Sequence, residues 1–224
     1  TEHPDRPWVV TEMRNGRLEY VYLANFDWYN YMYDDSRPTQ DYNVSVRGGS
    51  KNVSYMVSGR YYHQDGIFRI GPDDFDSFNT RAKVDVQICP WLKLTSNTRF
   101  FHSKYHYAGN EYRRPTLHAL ASFVPVNPDG TFVSHTTLTQ SAAHYIMDGY
   151  SAMLHKGVQF GTQKITELTS SWILTADITD KLKFNVDFSY KFGYQRSPYR
   201  DATVQYSQYP GEIETESTLY IDQY

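Results

Sequence analysis

The stretch "KLKFNVDFSYKFGY", residues 181–194, decides how the chain is read. Leu182, Phe184, Val186, Phe188, Tyr190, Phe192 and Tyr194 fall on one parity. Lys183, Asn185, Asp187, Ser189, Lys191 and Gly193 fall on the other. A period of two is a β-strand with one apolar and one polar face. The alternation outlasts the ~5–6 residues of an ordinary soluble strand and suits the ~9–11 of a tilted membrane strand. A soluble sheet would set core against the apolar face and water against the polar one. A membrane barrel would set lipid and a wet lumen there instead.

The same pattern recurs along the chain. Strands are expected at 42–49, 53–63, 78–88, 92–101, 167–178 and 182–194, with a weak last candidate at 217–224. On the barrel reading Val57, Val84, Val86, Leu94, Leu174, Phe184, Val186 and Phe188 face lipid. Arg60, Arg81, Lys83, Asp85, Arg99, Lys183, Asp187 and Lys191 occupy the polar parity and face the lumen. A lipid-facing cation at midplane costs about 2–4 kcal/mol, which favours that assignment. Aromatic residues such as Phe78, Phe100, Trp172 and Tyr194 sit where interface girdles would be.

The connections are lopsided. "GGSKN" (48–52), "CPW" (89–91) and "TDK" (179–181) are tight and carry turn residues. Those at about 64–76, 103–166 and 197–216 are long. Tight and long alternate, so the tight turns share one end of the sheet, as in outer-membrane barrels. Residues 1–41 read as a lead-in and loop segment, and 42–224 as the barrel strands.

Composition agrees. The 224 residues carry a net charge of −3, which supplies no basic field for nucleic acid. A mean hydropathy of −0.64 excludes a helical membrane protein, and no stretch approaches the ~18–20 apolar residues of a spanning helix. Barrels escape that test because half of each strand is polar. Aromatic content is 17%. Cys89 is the only cysteine, so no internal disulfide framework exists. "TEHPDRPW" (1–8) has no signal-sequence pattern, which makes the start a mature, processed or cut end.

No nucleophile elbow G-x-S-x-G appears, and no enzymatic activity is expected. His102 and His106 extend a strand, where four residues span ~13 Å, too far for one metal ion. Asp73, Asp74 and Asp76 offer calcium ligands without an EF-hand pattern, so a solvated acidic loop is favoured and no cofactor is expected. "NPDG" (127–130) reads as a β-turn with no further role, and "PTLHALASF" (115–123) as a short helix. The loops pair aromatic rings with hydrogen-bonding groups. Tyr105, Tyr107, Asn110, Glu111, Tyr112, Arg113, Tyr199, Arg200 and Asp201 are the candidate substrate-binding residues, rings stacking on cargo and polar groups fixing it.

Several motifs in order resemble the SusC-like, or RagA-like, TonB-dependent outer-membrane transporters. They are Asp27 and Trp28, Ser45 to Gly49, then Tyr55, Ser58, Gly59 and Tyr61, then Gln64 and Gly66, Trp91 to Lys93, and "VPVNPDGTF" (124–132). The resemblance runs from about residue 27 to 195. It implies about six or seven strands of a larger, 22-strand antiparallel barrel, importing oligosaccharides or peptides. The partners it implies are the remaining barrel and plug polypeptide, a SusD-like lipoprotein lid, and the TonB–ExbB–ExbD complex acting through the plug. No plug motif is visible, so the chain is expected to be a fragment of the early barrel in the outer membrane of a Gram-negative bacterium. A small structural or adhesive outer-membrane barrel and a soluble carbohydrate-binding β-domain are the alternatives.

Overall fold

A computed structural model describes residues 5–69, 71, 73–108, 119–134, 148–149, 159–201, 203–215 and 219–223. In chain order its elements are β1 (Val9–Arg14), β2 (Arg17–Tyr22), α1 (Trp28–Met32), β3 (Thr39–Gly49), β4 (Val53–Gln64), β5 (Phe75–Cys89) and β6 (Leu92–Ala108). Then follow β7 (Phe132–Val133), β8 (Gln159–Thr179), β9 (Leu182–Asp201), β10 (Gln205–Tyr209), β11 (Glu212–Thr215) and β12 (Leu219–Gln223). No helix among the described residues is long and apolar enough to cross a membrane, which says nothing of crossing by strands.

The main sheet has seven strands in the order β12-β9-β8-β6-β5-β4-β3. Every pair within it is antiparallel. It is an open up-and-down meander, the architecture of a barrel wall that has not closed on itself. Strand β3 has no neighbour on its outer side among the described residues. The turns at 50–52, 90–91 and 180–181 are tight, and all lie at one end.

Register places the alternation of each strand in phase with the next. Val53, Val86, Leu94, Leu174 and Val186 share one row across five strands. Tyr55, Val84, Ser96, Trp172 and Phe188 share the next, and Val46, Val57, Ala82, Thr98, Ser170 and Tyr190 the one after. Directly opposed residues project from the same face, so these rows lie on one largely apolar face and bring no charged side chain to it. Nothing among the described residues covers it. Phe188 is 61% exposed, and Phe184, Val186, Tyr190, Phe192 and Tyr194 are exposed with it.

The other face carries the charges. Arg60 grips Asp41 through two bonds of 2.9 and 2.7 Å. Lys191 pairs with Glu167 at 3.0 Å and Lys183 with Asp177 at 3.1 Å. Asp85 accepts from Thr95 at 2.6 Å and lies 3.4 and 3.5 Å from Lys83 and Lys93. Arg81, opposite Arg99, donates to Asn97 at 2.9 Å. Asp187 lies across from Ile173 on this same face.

The strands run further than their apolar pattern. Their long connections shrink to 65–74 and 109–158, and β9 continues to Asp201 rather than stopping near 197. The first sheet strand begins at Thr39, inside the expected lead-in. That lead-in also holds an unexpected hairpin, β1–β2, and the helix α1. The helix expected at 115–123 is not seen at 119–123, where the chain turns; 115–118 lie outside the described residues.

A small layer of loop structure sits apart from the sheet. Asp27 caps α1 by accepting from the Asn30 N–H at 3.0 Å, as short acceptor side chains do at a helix start. Trp28 then buries its ring and donates from Nε1 to the Leu120 carbonyl at 3.1 Å. It packs with fully buried Met32 and with Phe26, Tyr31, Tyr33, Ala119 and Phe123. The Asp27–Trp28 pair therefore ties the lead-in to the long loop. The Asn127–Gly130 turn does more than reverse the chain. Buried Asn127 accepts from the Tyr22 hydroxyl at 2.8 Å and donates to the Ser207 carbonyl at 3.2 Å. Asp129 accepts from the Tyr20 hydroxyl at 2.9 Å. Burial, then that bond, pushes the Tyr20 phenol up to about 12. One turn thus joins β2 to the three-stranded sheet β11-β10-β7.

Trp28→Ala should cost this layer about 3–5 kcal/mol, the usual penalty for emptying a buried aromatic site. The check is limited proteolysis of the full-length chain. Faster cutting within 24–34 and 119–127 is expected, with the seven-stranded sheet left intact. Unchanged cleavage would show that the ring anchors nothing.

Candidate functional site

At the long-loop end the polar face changes from ion pairs to aromatic rings. Phe75 and Tyr105 are register partners on β5 and β6. Tyr62 lies 6.1 Å from Phe75 by ring centroids, Phe75 lies 6.4 Å from Tyr105, and Tyr105 stacks on Tyr107 at 5.8 Å. The four rings form a ladder across three strands. On β8 the next position is Gly161, directly opposite Tyr107. A Cβ there would strike the Tyr107 ring, so only glycine lets the ring lie down on the sheet. Tyr199 follows on the far side of Gly161, in the same row. The structure thus brings together Tyr105, Tyr107 and Tyr199, and adds Tyr62 and Phe75, which the sequence reading passed over. Register was the missing signal: Tyr62 and Phe75 look ordinary until β4, β5 and β6 are aligned.

Arg200 departs from the expected cluster. It follows Tyr199 in sequence but points to the opposite face, because side chains alternate along a strand. Asp201 returns to the Tyr199 parity, opposite Gln159 in β8; its side chain lies outside the described residues. So do Asn110, Glu111, Tyr112 and Arg113.

Beside the ladder, the β4–β5 loop borders a polar cavity of about 560 Å³, lined by Asp34, Asp35, Asp65, Arg69, Asp73 and Asp74 among others. The acidic residues expected to be solvated are mostly engaged. Asp73 accepts from the N–H groups of Ile67 and Phe68 at 3.1 and 3.3 Å. Asp74 lies 2.8 Å from His106 Nδ1. Asp76 accepts from the Tyr61 hydroxyl and lies 2.8 Å from His63 Nδ1, while His63 Nε2 lies 2.8 Å from Asp65. Arg69 pairs with Asp34 at 2.7 Å. No group of three metal-ligating side chains occurs among the described residues.

With a carboxylate on each ring nitrogen, His63 is satisfied only as the imidazolium. Its bonds to Asp76 and then Asp65 raise its pKa above the ordinary histidine value. Burial pushes the Asp76 carboxyl up, but the bonds from His63 and Tyr61 hold it below the usual carboxylate range. A second cavity, of about 410 Å³ and mostly apolar, is lined by Trp8, Val9, Phe26 and residues 124–128.

No family model matches the chain, and no curated protein does. Solved structures do. A chain of the RagAB peptide importer in its closed-closed state superposes with a TM-score of 0.61 at 16% identity, over 87% of this chain and 22% of that one. A chain of the RagAB peptide transporter gives 0.58 at 17% identity, over 80% and 20%. The likeness is one of fold, and the chain spans about a fifth of the length of these neighbours.

Because the His63 pKa is raised on folding, its stabilising effect is full below the ordinary histidine value. It is lost as pH rises through the raised value. Amide exchange at Ile67 and Phe68, corrected for intrinsic rates, should therefore accelerate as pH is raised from 6 to 9. His63→Gln should abolish that dependence. A loop equally protected at both ends of the range would contradict the clamp.

Proposed function

We propose that this chain forms part of the wall and outer rim of a TonB-dependent outer-membrane nutrient importer of the SusC/RagA-like kind. One observation carries the reading. On the apolar face, no charged side chain lies between the tight turns and the row Tyr42, Tyr61, Phe78, His102, Thr166 and Tyr194. In the next row on the same face stand Gln40, His63, Asp76, Lys104, Lys164 and Arg196. Six strands change from apolar to polar at one level. Leu182 and Tyr194 bound that band on β9. Their separation is about 41 Å of strand, or about 29 Å across at a tilt near 45°, close to the hydrocarbon thickness of a bilayer.

On this reading Val57, Val84, Val86, Leu94, Leu174, Phe184, Val186 and Phe188 meet lipid. Arg60, Arg81, Lys83, Asp85, Arg99, Lys183, Asp187 and Lys191 line the lumen, where a plug would contact them. The ladder Tyr62–Phe75–Tyr105–Tyr107 with Tyr199 stands just above, on the lumen side, placed to stack against cargo entering the barrel. Peptide cargo is favoured over oligosaccharide because the fold neighbours are peptide importers by name. A SusD-like lipoprotein would close over the loop layer, and TonB–ExbB–ExbD would act through a plug. The role is passage rather than catalysis. The edge of β3, unpaired among the described residues, calls for further strands, since an unpaired edge in hydrocarbon costs several kcal/mol per group.

Two substitutions on neighbouring residues test the faces. Phe188→Arg should cost about 2–4 kcal/mol at midplane and impair insertion, whereas Asp187→Arg should be tolerated. Equal effects would show the faces to be wrongly assigned. Topology is checked separately, by labelling intact cells with a membrane-impermeant thiol reagent. A cysteine at Asp35 should react and one at Asp180 should not; the reverse would invert the chain.

A further inference from the structure

Two pairs of directly opposed residues stand on the lumen-side face of β5 and β6. Phe75 faces Tyr105, and six residues further along each strand Arg81 faces Arg99. A step of six keeps the parity, so both pairs project from one face, about 20 Å apart along the strand. Ser77 and Ser103, then Asn79 and Phe101, lie between them. The arginine pair is unfavourable as it stands, because like charges set directly opposite one another destabilise a sheet.

The nearby carboxylates of this face are held by other groups. Asp41 is paired with Arg60, Glu167 with Lys191, and Asp85 with Thr95, Lys83 and Lys93. Asp187 stands two rows nearer the tight turns and two strands from Arg99. Arg81 donates from Nε to the neutral Asn97 side chain at 2.9 Å. Arg99 has no hydrogen bond or ion pair among the described residues, and both arginines are exposed. Two guanidinium groups thus stand side by side with no carboxylate between them.

A guanidinium fork matches a carboxylate through two parallel bonds, and this pair offers two forks at one level. Arg99 lies three residues inside the level of His102, about 10 Å along the strand from the outer edge of the apolar band. Cargo is a better source of the carboxylate than a plug, because the ring pair stands above on the same two strands and the same face. We propose that Arg81 and Arg99 bind a carboxylate of peptide cargo whose aromatic side chain stacks on Phe75 and Tyr105. An extended chain spans about 3.3–3.6 Å per residue, so ring and carboxylate stand about six residues apart in the peptide. The site adds a charge and a spacing to the importer reading, on which it rests.

The test measures binding of fluorescent seven-residue peptides to outer-membrane vesicles carrying the full-length chain. Each peptide is N-acetylated and otherwise uncharged, with tyrosine first and either a free carboxylate or an amide at its C-terminus. Wild type should bind the carboxylate form on the order of tenfold tighter, as a charge-assisted hydrogen bond implies. Moving the tyrosine to three residues from the carboxylate should lose that advantage. The double variant Arg81→Gln/Arg99→Gln should bind both forms alike, while Lys181→Gln, in a tight turn, should keep the wild-type preference. Equal binding of the two forms by wild type would overturn the proposal, and that comparison needs no variant to fold. A preference surviving in the double variant would overturn it too. If the double variant also leaks small solutes while keeping that preference, the pair belongs to a plug carboxylate instead. Wild-type vesicles that bind none of the peptides would bring down the importer reading, and this site with it.

Discussion

Backbone hydrogen bonds constrain everything else in this chain. A strand set in hydrocarbon finds no water for its N–H and C=O groups, so each must be met by a neighbouring strand. The long ladders between β4, β5, β6, β8 and β9 do this row by row, with bulges confined to the turn ends at Gln87/Cys89 and Asp177/Thr179. Once the ladders fix the register, alternation fixes the faces, and the two faces are free to serve two solvents. Apolar side chains on one and ion pairs such as Arg60–Asp41 and Lys191–Glu167 on the other follow from that single condition.

The same ladder carries polar side chains past the apolar band without changing the fold. Strands β6, β8 and β9 continue past the apolar band, with the β8–β9 register interrupted at Thr162 and Gln163 and resuming at Gly161 and Tyr199. On one face the continuation carries Lys104, Lys164 and Arg196; on the other it carries Tyr105, Tyr107 and Tyr199. The β4–β5 loop is fastened to the rim by His63 between Asp65 and Asp76, and by Asp73 across the loop's own backbone. The loop layer hangs from different bonds, those of Trp28 and Asn127.

What could be read from the sequence was whatever the period of two marks. Residues 182–194 identify their strand because every second side chain is apolar. Beyond Tyr194 the same parity holds Arg196 and Arg200, so the mark disappears while the strand continues, and its end was placed too early. Arg200 is separated from Tyr199 for a related reason: adjacent residues on a strand serve opposite faces, so sequence clusters of ring and charge are split by the fold. The β1–β2 hairpin was visible in principle. Asn15 and Gly16 are the dipeptide that a tight hairpin turn prefers, and both adopt positive φ, 50° and 79°. The His63–Asp76 contact and the aromatic ladder were not visible, since both depend on which strands pair and in what register.

The central claim is that one face of the sheet meets lipid up to a defined level and water above it. Nitroxide side chains placed singly from 182 to 196 in the full-length chain, reconstituted in bilayers, test this most directly. Accessibility to oxygen should be high at even positions from 184 to 192 and low at odd ones, with a water-soluble nickel complex showing the opposite order. At 196 the even parity should switch to the nickel complex. Low accessibility to both reagents at 184, 186 and 188 would mean a protein core covers that face, and would contradict the account.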